Sequence, residues 1–152
     1  MTLRQANQSD IPSMQRVRLA VRENTLSDPS RVTVADYTAA LEELGRTWVV
    51  EVDGEIAAFA TGYKAGSIWA LFVHPSHEGR GHGRTLHSTM VNWLWSLGHT
   101  RLWLTTDPGT RAERFYISQG WQPCGIVSGG ELRLELVCPN NSFNPMPLRG
   151  TG

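Results

Sequence analysis

The sequence predicts an α/β (α+β) domain with the element order β-α-α-β-β-β-α-β-α-β-β. Three observations predict it. Apolar and β-branched runs, such as residues 47–53 and 68–73, alternate with segments of helical periodicity. Glycine, proline and Asp-Gly signals mark most of the junctions between them. One run, from Ile68 to Val73, leads through a turn spaced by Gly79, Gly81 and Gly83 into a helix marked by Leu86, Met90, Leu94 and Leu97.

The elements can be justified in order. Residues 2–6 are a short strand candidate. Ser9 or Asp10 can cap the next helix, Pro12 suits its first turn, and Ile11, Met14, Val17 and Val21 give it one apolar face. Residues 23–29 break it. Thr33 and Asp36 resemble a capping box with a shortened acid, and Tyr37, Leu41 and Leu44 carry a second helix to Gly45. Residues 47–53 read as a strand, Asp53-Gly54 as a tight turn, and residues 55–64 as its hairpin partner. Gly66 turns the chain into the strand that Pro75 ends. The long helix begins near Gly83 and stops at Gly98. Residues 101–106 are another strand and Asp107-Pro108-Gly109 a turn. Residues 110–119 form a short helix, with Ala112, Phe115 and Tyr116 on one side and Gly120 at its close. Residues 125–127 and 131–137 make a last hairpin about Ser128-Gly129-Gly130. One domain therefore spans residues 1–139. The segment 140–152, rich in Pro, Asn and Gly, reads as a disordered tail.

Composition narrows the function classes. The 152 residues carry 14 acidic and 14 basic side chains, 40% hydrophobic and 18% charged content. That balance describes a soluble globular protein with no broad footprint for nucleic acid or a membrane surface. No apolar run reaches spanning length, and the N-terminus has no signal-peptide core, so a cytoplasmic location is expected. The two cysteines, Cys124 and Cys138, suggest no disulfide scaffold; Cys124 is expected to be a small buried residue. His74, His77, His82, His87 and His99 match no common zinc spacing, so no metal is expected.

The glycine turn carries the chemistry. Strand, glycine turn and helix aim several backbone N–H groups at one point. The first amides of a helix have no partner within it, and the helix dipole adds partial positive charge there. A phosphate is the natural occupant. The turn lacks the Gly-Lys-Ser/Thr of a P-loop. Arg84 stands where a dinucleotide fingerprint needs glycine. The six residues Glu78-Gly79-Arg80-Gly81-His82-Gly83 instead resemble the acetyl-CoA loop of the GCN5-related N-acetyltransferases (GNAT), Gln/Arg-x-x-Gly-x-Gly/Ala, with Glu78 the one departure. Val73-His74-Pro75 is similar to the end of that family's fourth strand. Further on, Arg111 to Trp121 resembles the family's second segment, with Ala112, Tyr116, Gly120 and Trp121 in place. Gly109 stands where the family often has Asn, so a side-chain contact to the cosubstrate is either lost or supplied by Thr106 or Thr110.

The resemblance implies a central mixed, mostly antiparallel sheet of about seven strands flanked by helices. It also implies acetyl transfer from acetyl-CoA to a primary amine of a small molecule or peptide, by direct attack. In that reading the amides of Gly79, Arg80, Gly81, His82, Gly83 and Arg84 hold the pyrophosphate. Arg80 and Arg84 add charge-assisted contacts of about 1.5–3 kcal/mol each. Backbone N–H groups of Phe72 or Val73 polarise the thioester carbonyl, with pantetheine pairing along the strand edge. Tyr116 is the candidate acid for the departing thiolate, because a phenol stays protonated at neutral pH. The base is open. Glu23 at the break of the first helix, Glu51, Asp107 and a water chain are the alternatives. A CoA-binding sensor without turnover is a second reading, and acetylation of a protein or a charged tRNA a third. The oligomeric state is open, a homodimer included.

Overall fold

In the computed structural model, residues 1–21 and 32–139 are described. Glu23, the break at 23–29 and the tail from 140 fall outside them. The described residues follow the predicted order: β1 (Thr2–Gln5), α1 (Ile11–Ala20), α2 (Val34–Ala39), β2 (Gly45–Val52), β3 (Glu55–Tyr63), β4 (Ile68–Val73), α3 (His82–Ser96), β5 (Arg101–Thr106), α4 (Arg111–Ser118), β6 (Gln122–Ile126) and β7 (Leu132–Val137). Every strand pairing is antiparallel. Hydrogen bonding divides the seven strands into two sheets, β1-β2-β3-β4 and β5-β7-β6. The chain correspondingly divides into two compact units, Met1–Leu94 and Trp95–Gly152.

In the first unit the predicted face of α1 is buried. Ile11, Met14 and Val17 pack with Tyr37, Val49, Phe59 and Ala70 on one face of the sheet. Side chains alternate along a strand, so Ala58, Ala60 and Gly62 of β3 point to the opposite face. Helix α3 lies close on that side. A Cβ on Gly62 would stand 3.0 Å from Met90 Cγ and 3.2 Å from Leu94 Cδ1. Trp93 of α3 meets Trp48 of β2 edge to face, with ring centroids 5.5 Å apart. The small residues of β3 therefore set how near the long helix can come.

Two local signals resolved differently from the sequence reading. Asp10 stands at the N-cap position of α1 but makes no side-chain capping bond there; the side-chain cap is Asn7, at the head of the 3₁₀ turn Gln8–Asp10. Asn7 accepts from Ser9 N, and Asp10 closes a capping box by accepting from Asn7 N at 2.9 Å, which puts a 3₁₀ turn ahead of α1. Gly45 does not end a helix in the left-handed region. After α2 the chain makes one π-helical turn, Ala40–Leu44, and enters β2 directly. Gly45 is required for a different reason: a Cβ there would lie 2.0 Å from the carbonyl oxygen of Gly62. The Thr33–Asp36 capping box is present as predicted. Asp53 and Gly54 both have positive φ, 52° and 80°, as a two-residue hairpin turn requires.

In the second unit, Leu102, Leu104, Leu132, Leu134, Tyr116 and Trp121 are buried. Cys138 is buried, whereas Cys124 is exposed, against expectation. Cys124 lies on β6, which begins earlier than the sequence suggested and is exposed along its whole length. Pro123 and Gly125 mask the strand pattern, and the register shifts between Pro123 and Ile126.

An ion pair ties β1 to the start of α1. Arg4 donates to both carboxylate oxygens of buried Asp10, at 2.8 and 2.9 Å, and to Glu51 at 2.5 Å. The Arg4 guanidinium holds the Asp10 carboxyl below its ordinary value despite burial. A depressed carboxyl adds stability that is present above its unfolded value, near pH 3.9, and is lost as pH falls through the folded one. Asp10→Asn is expected to cost about 1–3 kcal/mol at pH 7, and urea unfolding should show the gap to wild type closing below about pH 4. Gly45→Ala is expected to cost about 1–3 kcal/mol by the same measurement, because the intruding methyl meets backbone and not a movable side chain.

Candidate functional site

The turn before α3 is built by chain punctuation. Pro75 ends β4 and opens a 3₁₀ turn, Pro75–His77. Gly79 and Gly81 then take positive φ, 77° and 85°, which other residues rarely adopt. A Cβ at either would meet nothing within 4 Å, so these glycines serve backbone conformation and leave open space before the main chain. Gly83 is not among the positive-φ residues and sits inside the first turn of α3.

The helix starts so that its first amides are presented. The Gly81 carbonyl accepts the first helical bond, from Thr85 N at 3.1 Å, and also the Thr85 hydroxyl at 3.0 Å. The amides of His82, Gly83 and Arg84 therefore precede any carbonyl of the helix that they could reach. Glu78, Gly79, Arg80, Gly81 and Arg84 are exposed. Arg80 and Arg84 make no ion pair or hydrogen bond among the described residues. Two unpaired guanidiniums thus flank an open run of amides.

His82 behaves differently from its neighbours. Its ring is buried, and neither nitrogen has a hydrogen-bond partner among the described residues. Only its backbone amide can serve the loop. Burial, then the charges of His77 and Arg80, hold its pKa below the ordinary value. Burial thus favours the neutral imidazole. The rings of His74, His77 and His82 follow each other at 6.3 Å. Among the described residues no three His, Cys, Asp or Glu groups are placed to hold a metal.

Strand β4 is the terminal strand of its sheet, with β3 on one side only. His74 N donates to Ala57 O of β3 at 2.8 Å. Successive amides of a strand point to opposite edges, so the Val73 N–H points to the open edge and the Phe72 N–H toward β3. Of the two amides named from sequence, Val73 is the one on offer. The Phe72 ring instead lies 5.6 Å from Phe59 and carries the Arg18 guanidinium, whose Cζ is 5.0 Å from the ring centroid. Arg18 was not singled out by sequence reasoning. The available signal was a charged residue four positions after Met14, beside the buried stripe of α1.

In the second unit, Tyr116 of α4 is buried between Phe115 and Trp121, with ring centroids 5.4 and 5.5 Å away. Burial raises its phenol pKa well above the ordinary value. Thr110 caps α4, accepting from Glu113 N and donating to the Asp107 carbonyl. Those structural bonds occupy its hydroxyl, and Thr106, half-buried at the end of edge strand β5, is left as the freer of the two threonines. Gly109 has φ 77°, so this turn favours glycine where the related pattern has Asn. Glu51 is ion-paired with Arg4.

The family described as Acetyltransferase (GNAT) matches residues 12–121. A ycf52-like N-acetyltransferase of Prochlorococcus marinus is 40% identical over 55 residues, which is 36% of this chain and 29% of that protein. The ribosomal-protein-S18-alanine N-acetyltransferase of Escherichia coli superposes with a TM-score of 0.72 at 17% identity, covering 90% of this chain and 92% of the other. The yncA protein of Salmonella typhimurium, solved with its cofactor acetyl-CoA, gives 0.69 at 20% identity, covering 90% and 93%. These structures share the fold of the present chain. The motif at residues 78–83, the segment 111–121 and the profile match lead to one assignment: the chain belongs to the acetyltransferase (GNAT) family.

Proposed function

We propose that this protein transfers an acetyl group from acetyl-CoA to the primary amine of a small molecule or peptide by direct attack. The observation that carries the proposal is the open run of amides at the start of α3, flanked by Arg80 and Arg84, which are unpaired among the described residues. The residues present fit a diphosphate: partial positive charge from the helix end, two guanidiniums, and no side chain in front of Gly79 or Gly81. Acetyl-CoA supplies the activated thioester.

The chain's own groups divide the remaining work. The amides from Gly79 to Arg84 anchor the phosphates. The Val73 N–H, on the open edge of β4, donates to the thioester carbonyl as negative charge develops there. Tyr116 gives its phenolic proton to the departing thiolate, and its raised pKa keeps that proton in place until it is needed. The proton lost by the amine leaves through Glu23 or through water. Binding in a cytoplasmic setting, with no resident metal, completes the reading. The E. coli structural relative is named for an alanine of a ribosomal protein, which keeps a peptide acceptor within the proposal.

Three measurements test it. Gly81→Glu places bulk and negative charge in the anchor, so calorimetric affinity for acetyl-CoA should fall at least about tenfold; unchanged affinity would locate the cosubstrate elsewhere. Tyr116→Phe should lower kcat by about 10²–10⁴-fold with acetyl-CoA affinity within about twofold, and an unchanged kcat would remove the proposed acid. Since burial moves the Tyr116 pKa upward, kcat should rise with amine deprotonation and show no fall up to about pH 10, where an ordinary tyrosine would already be half ionised. Binding of acetyl-CoA without thiol release across an amine panel would indicate a sensor instead.

A further inference from the structure

Another cation of the first unit, Arg18, is stacked on an aromatic ring and has no ion-pair partner among the described residues. Arg18 sits near the end of α1, half-buried. Its Nε is sequestered from solvent and has no hydrogen-bond partner among the described residues. Among the described residues no carboxylate pairs with its guanidinium. Yet the group is held in place, with its Cζ 5.0 Å above the Phe72 ring. A guanidinium stacked on an aromatic face keeps its edge free for a planar acceptor, because the stacking uses the face and the hydrogen bonds lie in the plane. Its charge also acts on the buried Tyr37 phenol, opposing the effect of burial there. The surroundings are therefore aromatic: Phe72, Tyr37 and, against Tyr37, Trp69 at 5.5 Å.

The position matters as much as the chemistry. Phe72 and Val73 are consecutive on edge strand β4. The ring beneath Arg18 is thus one residue from the amide assigned to the acetyl carbonyl. One strand residue advances about 3.3 Å. An amine attacking beside Val73 would bring substituents a few bonds away within reach of the guanidinium edge.

Resting on the proposed acetyl transfer, we infer that Arg18 binds a carboxylate of the acceptor, so that the substrate class is an amine carrying a nearby carboxylate: an amino acid or a short peptide. Arg18 takes no proton and breaks no bond; it binds the acceptor through charge-assisted hydrogen bonds, two of them when the carboxylate is engaged bidentately. Its contribution should appear mainly in KM for the acceptor.

The test compares matched acceptors with full-length protein. Phenylalanine, a phenylalanyl dipeptide and phenethylamine share the amine and the ring, and phenethylamine lacks the carboxylate. Wild type should favour one of the carboxylate-bearing amines by about tenfold or more in kcat/KM, and Arg18→Gln should lose that preference through KM, leaving phenethylamine turnover within about twofold. Arg18→Lys keeps the charge without the fork and should recover part of the loss. Thermal melting and acetyl-CoA affinity of both variants should match wild type. Equal loss for all three amines in Arg18→Gln, or a wild type indifferent to the carboxylate, would overturn the assignment of Arg18 while leaving acetyl transfer standing. A wild type that binds no acetyl-CoA would overturn the proposed function, and this inference with it.

Discussion

The structure depends on how closely α3 can approach β3. Gly62 is the contact point, with Met90 Cγ 3.0 Å and Leu94 Cδ1 3.2 Å from where its Cβ would be. Ala58 and Ala60 keep the same face low, and both are fully buried. This packing fixes the long helix against its sheet. The helix in turn fixes the direction in which its first amides point. A bulkier strand would lift the helix, and the turn from Gly79 to Gly81 would lose its register with it. The positive φ values at Gly79 and Gly81 let the chain leave β4 and enter α3 within a few residues. Tertiary packing and backbone geometry therefore act together on one short segment.

Electrostatics at that segment do not follow from the whole chain. Acidic and basic side chains balance at 14 each. The neutral total hides a local excess: Arg80 and Arg84 are exposed and unpaired among the described residues, and the helix end adds partial positive charge. The basic side chains Arg4, Arg101 and Arg133 are instead committed to carboxylates. A protein can be neutral overall and still present a focused anion site, because field depends on which charges lack partners.

Much of this was legible in the sequence because it rests on local rules. The strand that ends at Pro75, the glycine spacing, the Thr33–Asp36 box and the Asp53-Gly54 turn all encode conformation within a few residues. The features that escaped are contacts between distant positions. Gly45 looked like a helix stop because its neighbours are helical, but its requirement comes from Gly62, across the β2–β3 ladder. Asn7 outcompeted Ser9 as a cap because Asp10, held by Arg4, completes the box from the other side. The exposure of Cys124 followed from a strand whose Pro123 and Gly125 hide its period. Within the candidate site, the loop was readable as a motif. The choice of Val73 over Phe72 needed the hydrogen bond of His74, and Arg18 needed the sight of its aromatic neighbour.

The buried imidazole of His82 has a consequence of its own. Two ring nitrogens shut away without partners among the described residues weaken the native state relative to an apolar ring of similar size. The chain thus tolerates a thermodynamic handicap at the very turn where α3 begins. Such a spot is where opening fluctuations of the first helical turn would start, ahead of the well-packed middle of the same helix. Packing along α3 is tightest over Met90 and Leu94, which are fully buried.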